Sequence, residues 1–173
     1  WRWDFTFQIL PRLIVATGNT LLAAGLGYAI AVVLGLALVL AQRTPFRPLT
    51  VVVREAVEFI RSTPLVLQIF FVFYVGPQFG IRLSPWTAGM IAIGLHYAAY
   101  LSEVYRGGLE CVPKGQWEAA KSLNLSTART YFRVILPQAL PPSLAGMGNY
   151  LVGIFQDTPM LSVIGVAELM HTA

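Results

Sequence analysis

Residues 20–40 read TLLAAGLGYAIAVVLGLALVL, 21 positions without a charged side chain. A helix rising about 1.5 Å per residue would cover about 30 Å over that length, the hydrocarbon thickness of a bilayer. Ala23, Gly27, Ala31 and Gly35 recur at every fourth position, forming a stripe of small residues on which another helix can approach closely. The stripe reads as a packing face rather than a ligand site. Composition points the same way: 56% of the 173 residues are apolar and 12% are charged, whereas about a quarter are charged in a soluble domain. An all-α integral membrane protein is expected, in one transmembrane domain over residues 1–173.

Outward from this span the chain alternates apolar and polar intervals. Residues 42–61 form a connector in which 51–60 mixes charged and apolar positions as a helix lying at the interface would. A second span is expected over 63–79, with its dense apolar core ending near Val75 and Pro64 tolerated in its first turn. Residues 76–85 read as a short loop. A third span covers 86–105, anchored at the interface by Trp86 and carrying a second small stripe at Gly94, Ala98 and Ser102. A fourth covers 140–157. It is expected to break at Gln156-Asp157-Thr158-Pro159, leaving 158–170 as a further half-helix.

The basic residues lie between these spans. With no aromatic-interleaved basic face and no nucleic-acid motif, the net charge of +4 reads as membrane orientation, without a nucleic-acid partner. Nine of the twelve Lys and Arg residues fall in the 42–63 connector and in 106–138, and three at the amino end and in the 76–85 loop. Positive charge marks the cytoplasmic side, so the amino end is expected outside and residues 113–137 inside. The amino end is aromatic and interfacial in character, without the pattern of a cleavable signal. The single cysteine, Cys111, permits no internal disulfide.

The longest polar interval, residues 113–137, reads PKGQWEAAKSLNLSTARTYFRVILP. Gln116 to Leu123 is rich in helix formers. Asn124 stands where a helix stop wants a left-handed residue, and Ser126 can cap a second helix from Arg129 to Leu136, ended by Pro137. A polar helical hairpin between membrane spans suits docking, although an ordinary solvated turn has the same local code.

These residues resemble the EAA motif of permease subunits in bacterial ABC importers. Glu118-Ala119-Ala120 is followed by three residues, Asn124, nine residues, and Val134-Ile135-Leu136-Pro137. Asn124 replaces the family's glycine, and Asn is the next most comfortable residue in the left-handed region. Val134 replaces an isoleucine. Blocks at 61–68 (RSTPLVLQ), 102–108 (SEVYRGG), 112–117 (VPKGQW) and 157–165 (DTPMLSVIG) extend the likeness to the polar amino acid uptake branch. The wording around LHYAAYLSEVYRGGLE and GNYLVGIFQDTPMLSVIGVAELM is similar to ectoine/hydroxyectoine permeases.

The resemblance implies a type I ABC importer permease fold in a bacterial inner membrane, with a fifth helix expected beyond residue 173. It implies two ATP-binding subunits docked on the hairpin through Gly115, Glu118, Ala119, Ala120, Asn124, Leu136 and Pro137. Leu123, Leu125, Tyr131 and Phe132 would be its apolar anchors. It also implies a second permease, identical or related, and an extracytoplasmic solute-binding protein. The chain has no phosphate-binding Gly-x4-Gly-Lys-Ser/Thr loop. It is therefore expected to be a transport component with no cofactor and no reaction of its own.

For the cargo, ionisable residues at membrane depth are the first candidates. Asp157 either faces a ligand cation or merely caps the break. With Thr158 as cap, the following amides would face a carboxylate, as at the broken helices of transporters. Tyr97 and Gln68 can line the pathway. Glu103 and Arg106, three apart, form either an ion pair or a gate. His96 reads as a hydrogen-bonded packing residue, since no partner at metal-ligand spacing accompanies it. The cargo expected is a small polar or zwitterionic solute, a polar amino acid or an ectoine-type compatible solute. Two other classes compete. A membrane enzyme lacks a Gly-x-Ser-x-Gly elbow or paired metal ligands here, and a channel or scaffold without ATPase coupling would have no use for the hairpin.

Overall fold

The two small-residue stripes face each other. In the computed structural model, which describes residues 3–172 and their side chains except those of 3–6 and 171, α1 (Trp3–Gln42) packs along α4 (Pro85–Glu110). Ala23, Ala31 and Ala98 are fully buried. A Cβ on Gly27 would stand 2.7 Å from Ile93 Cγ2, and one on Gly35 would stand 3.0 Å from the carbonyl oxygen of Ala98. Gly94 answers from α4, its face filled by Ile30. Glycine is thus what lets the two backbones close up. The helix α1 runs 40 residues, about 60 Å, and continues through Pro11 instead of beginning at residue 20. Its segment Phe7–Gln42 is, among the described residues, the one helix long and apolar enough to cross a membrane alone. Leu21, Leu22, Leu26, Val33, Leu36 and Leu40 are exposed on it, a larger apolar face than water tolerates.

The connector folds as α2 (Arg47–Ser62), which buries Val57 and leaves Val52 and Phe59 exposed. Thr63 is extended (φ −102°, ψ 130°) because the residue before a proline is excluded from the helical region. Pro64 consequently occupies the N-cap of α3 (Leu65–Phe70) rather than its first turn. The next residues stay helical, as a π turn over Phe71–Val75 and a 3-10 turn over Gly76–Phe79. The loop expected from residue 76 therefore starts at Gly80, whose φ of 79° ends the run. This helical run is bent 108° from α2. At α4, Ser84 caps by accepting the Thr87 amide at 3.2 Å.

The polar hairpin comprises α5 (Lys114–Ser122) and α6 (Thr127–Thr130). Asn124, at φ 49°, is the one non-glycine residue with positive φ among those described. The Leu125 amide returns to the Ala120 carbonyl and that of Asn124 to Lys121, the paired bonds that close a helix on a left-handed residue. Pro137 does not end the second helix. A π turn at Tyr131–Ile135 leads into α7 (Leu136–Asp157), with the Leu136 amide bonded to the Tyr131 carbonyl five residues back. The widened turn gives the proline ring room where an α register would clash with the preceding turn.

Nor does the helix break at 156–159. The Thr158 amide bonds to the Ile154 carbonyl and the chain tightens directly into a 3-10 helix, Thr158–Ile164. Gly165, at φ 80°, closes it, and α8 (Leu169–Thr172) is a separate turn. The expected half-helix over 158–170 is thus two pieces, the first continuous with α7. The main core joins α1, α3, α4, α7 and this 3-10 helix around Ile69, Ile93, Leu101, Ile154 and Leu161, all with 0% exposure. A smaller cluster, Val112, Ile135 and Ala139 with Trp117 and Leu109, seats the hairpin on the base of α4 and α7.

Candidate functional site

Glycines also govern how α7 meets α4. Gly108 faces Ser143 and the Ala139 carbonyl, and a Cβ on Gly146 would lie 2.8 Å from Val104 Cγ1. Beyond these close approaches, toward the start of α4, lies a cleft of about 690 Å³. From α4 it is lined by His96, Tyr97, Tyr100 and Val104, and from α7 by Gly146, Asn149, Tyr150, Gly153 and Asp157. Both sets follow the three-and-four spacing of one helix face. Gly153 keeps the cleft open beside Tyr97, whose hydroxyl would stand 3.1 Å from a Cβ there.

Asp157 ends α7 and points into this space. Its Oδ2 accepts a 2.6 Å hydrogen bond from the Tyr97 hydroxyl, and it has no ion-pair partner among the described residues. It makes no cap bond to the following 3-10 helix. The Thr158 hydroxyl donates back to the Phe155 carbonyl at 2.9 Å, so Thr158 is not a cap and is 1% exposed. The helix start expected to present free amides is therefore absent, because the chain never leaves the helical region. Tyrosines wall the carboxylate: Tyr150 stands 6.1 Å from Tyr97 and 5.4 Å from Tyr100, centre to centre. His96 contacts both Tyr97 and Tyr100. It is buried without the hydrogen bond expected of a packing histidine, since its Nδ1 has no partner.

Two pathway candidates are occupied elsewhere. The Gln68 amide donates to the Ile60 and Thr63 carbonyls at 2.8 and 3.0 Å, satisfying the end of α2 and fixing its bend. Glu103 holds Arg106 at 2.6 Å, and Arg106 also holds Glu110 at 2.7 Å. All three lie along α4 and none lines the cleft. The α2 bend still touches the site, because the Tyr100 hydroxyl donates to the Arg61 carbonyl at 3.1 Å and the Arg61 guanidinium sits 5.4 Å from the Tyr100 ring centre. Tyr100, Asn149 and Tyr150 line the cleft without a motif in the sequence to mark them. The face 146-149-150-153-157 could have shown them, but only once α7 is known to run unbroken to Asp157.

On the hairpin, Glu118 and Ala119 are exposed while Ala120 is buried beneath them. Leu123 and Phe132 are each 73% exposed. Tyr131 instead turns inward, its ring 5.4 Å from that of Trp117. The hairpin thus presents two large apolar side chains on a packed base. Gly115 and Asn124 are exposed on the same hairpin, and Leu136 and Pro137 are exposed at the start of α7.

Residues 31–173 match the family described as the binding-protein-dependent transport system inner membrane component. The chain belongs to that family. A "probable amino-acid ABC transporter permease protein" of Sinorhizobium fredii is 46% identical over 98% of this chain and 73% of its own length. The L-cystine transport system permease protein TcyB of Bacillus subtilis is 38% identical over 99% of this chain and 74% of its own. Among solved structures, an amino acid ABC transporter crystallised with histidines superposes with a TM-score of 0.91 at 32% identity, over 98% of this chain and 79% of that one. The inward-facing MetNI methionine transporter gives a TM-score of 0.69 at 19% identity, over 93% of this chain and 76% of its own; this is a likeness of fold. The fold is that of a type I ABC importer permease. The chain is an inner-membrane transport component rather than an enzyme, and such permeases work with ATP-binding subunits and a solute-binding protein.

Proposed function

We propose that this permease carries a small zwitterionic amino acid into the cell through the cleft between α4 and α7, with Asp157 receiving the substrate's ammonium group. The observation that carries this reading is a half-buried carboxylate inside a wall of Tyr97, Tyr100 and Tyr150, bonded by one hydroxyl and without a cationic partner among the described residues. A carboxylate taken from water without a counter-ion is costly, and a substrate cation would relieve that cost. Tyrosine faces add attraction for an ammonium group. The amino-acid cargo of the relatives named above supports the same class, and an ectoine-type zwitterion satisfies the same chemistry.

The drive comes from outside the chain. Two ATP-binding subunits dock on the hairpins of this permease and of a second, identical or related one. The contact is made by Leu123 and Phe132 around Glu118-Ala119-Ala120, and the hairpin lies on the cytoplasmic side with the amino end outside. The solute-binding protein delivers cargo to the outer face. A test uses the complex assembled with its ATP-binding subunits and binding protein in proteoliposomes, offered the twenty common L-amino acids, L-cystine and ectoine. One or more of these should enter in an ATP-dependent way, and Asp157→Asn should cut that uptake about tenfold or more while the complex stays assembled. Unchanged uptake in the variant would overturn the reading.

A further inference from the structure

The continuous helix at Asp157 leaves the carboxylate end of a zwitterion without the amides that a helix break would have supplied. Thr158 gives its amide to Ile154, and Pro159 has none to give. A substrate whose ammonium sits on Asp157 needs a donor elsewhere in the same cleft. Among the lining side chains, one buried polar group is conspicuously unsatisfied. His96 is 9% exposed, and its Nδ1 lies out of reach of solvent with no hydrogen-bond partner. The imidazole makes no hydrogen bond through Nε2 either, Nε2 is not among the sealed polar atoms, and His96 is one of the residues lining the cleft. A proton on Nδ1 would be a buried donor without an acceptor, which is the expensive arrangement. Either tautomer leaves Nδ1 without a partner, and the greater cost of an orphaned N–H favours the neutral form with its proton on Nε2, which could serve as a donor. Tyr97 and Tyr100, with ring centres 5.3 and 5.1 Å away, fix the plane of the imidazole.

We infer that His96 is a specificity-determining residue, its Nε2–H donating to the substrate's carboxylate while Asp157 takes the ammonium. The inference rests on the proposed use of the cleft and goes beyond it, since a cleft that recognised only a cation would need Asp157 and the tyrosines alone. His96 supplies the reason why an amine lacking the carboxylate would be a poor cargo. A second, structural use of His96 as mere filling between the tyrosines would make its chemistry irrelevant and its volume important, and that difference can be measured.

The test uses the assembled complex in proteoliposomes. The probe is whichever of the twenty L-amino acids, L-cystine and ectoine the wild type takes up, beside the same compound with its carboxylate converted to a carboxamide. Wild type should prefer the acid about tenfold or more. His96→Leu, which keeps the bulk and deletes the donor, should raise KM for the acid about tenfold and bring the two compounds close to parity. His96→Gln, whose amide restores a donor, should recover much of the preference and guards against a folding defect in the leucine variant. Unchanged KM and preference in His96→Leu, with Asp157→Asn still impaired, would overturn the role of His96 and leave the cleft reading standing. If Asp157→Asn is itself unimpaired, or the wild type takes up none of the probes, the cleft reading falls first and this inference with it.

Discussion

Gly27→Ala is a small change with a large expected effect. The added methyl would lie 2.7 Å from Ile93 Cγ2, inside van der Waals contact. Ile93 is 0% exposed and, being β-branched in a helix, has one strongly preferred χ1 rotamer, so it cannot swing aside. The backbones of α1 and α4 must part instead, along the most extensive helix pairing among the described residues. Overpacking of this kind costs about 1–3 kcal/mol, and for a chain of this size each kcal/mol lowers the melting temperature by about 2–4 °C. Thermal unfolding of the purified complex reads that shift. Ile93→Ala removes the colliding atom and on its own costs about 2–5 kcal/mol by leaving a cavity. The double variant should therefore be less destabilised than the sum of the two by about 1 kcal/mol or more. A Gly27→Ala protein that melts with the wild type, or strictly additive effects in the pair, would refute the close approach of α1 and α4.

Other changes separate structure from transport. Asn124→Gly keeps the left-handed turn and relieves its strain, so ATPase stimulation should be intact with stability equal or slightly higher, whereas Asn124→Val should cost about 1–2 kcal/mol; lost coupling in the glycine variant would give the Asn side chain a task the turn does not explain. Gln68→Ala strands the Thr63 carbonyl and leaves that of Ile60 with only the Thr63 amide, and should destabilise the α2 bend by about 1–3 kcal/mol while KM for the transported amino acid stays as in wild type, checked by melting and uptake together. Deleting Gly115 to Leu136 should abolish association with the ATP-binding subunits, measured by co-purification, because it removes the exposed Leu123 and Phe132; retained association would favour a scaffold that binds them elsewhere.

What the residues disclosed in order along the chain was local chemistry. The small stripes of α1 and α4, the left-handed Asn124 and the capping Ser126 all stand where the sequence puts them, since each depends on neighbours within a turn or two. Prolines misled. Pro137 reads as a stop and Pro159 as a fresh start, yet a π turn absorbs the first and a 3-10 helix the second. Hydrogen-bond register is set by packing around the helix and leaves little trace in composition. The central pair of the site was out of reach for another reason. Tyr97 and Asp157 are separated by 60 residues, and both were candidates, but only the glycine-lined meeting of α4 and α7 joins them. The same packing gives Gln68 and Glu103 nearer partners and brings His96 and Tyr150 to the lining of the cleft.

The role proposed for Asp157 is recognition of the ammonium group of the cargo. The most direct measurement is equilibrium binding of the transported amino acid and of its deaminated analogue to the intact complex, in wild type and in Asp157→Asn. Wild type should bind the amino acid about tenfold or more tightly than the analogue, and the substitution should erase most of this preference while the analogue's own affinity holds or improves. Equal preference in wild type and variant would contradict it, and would return Asp157 to the role of a carboxylate that only holds Tyr97.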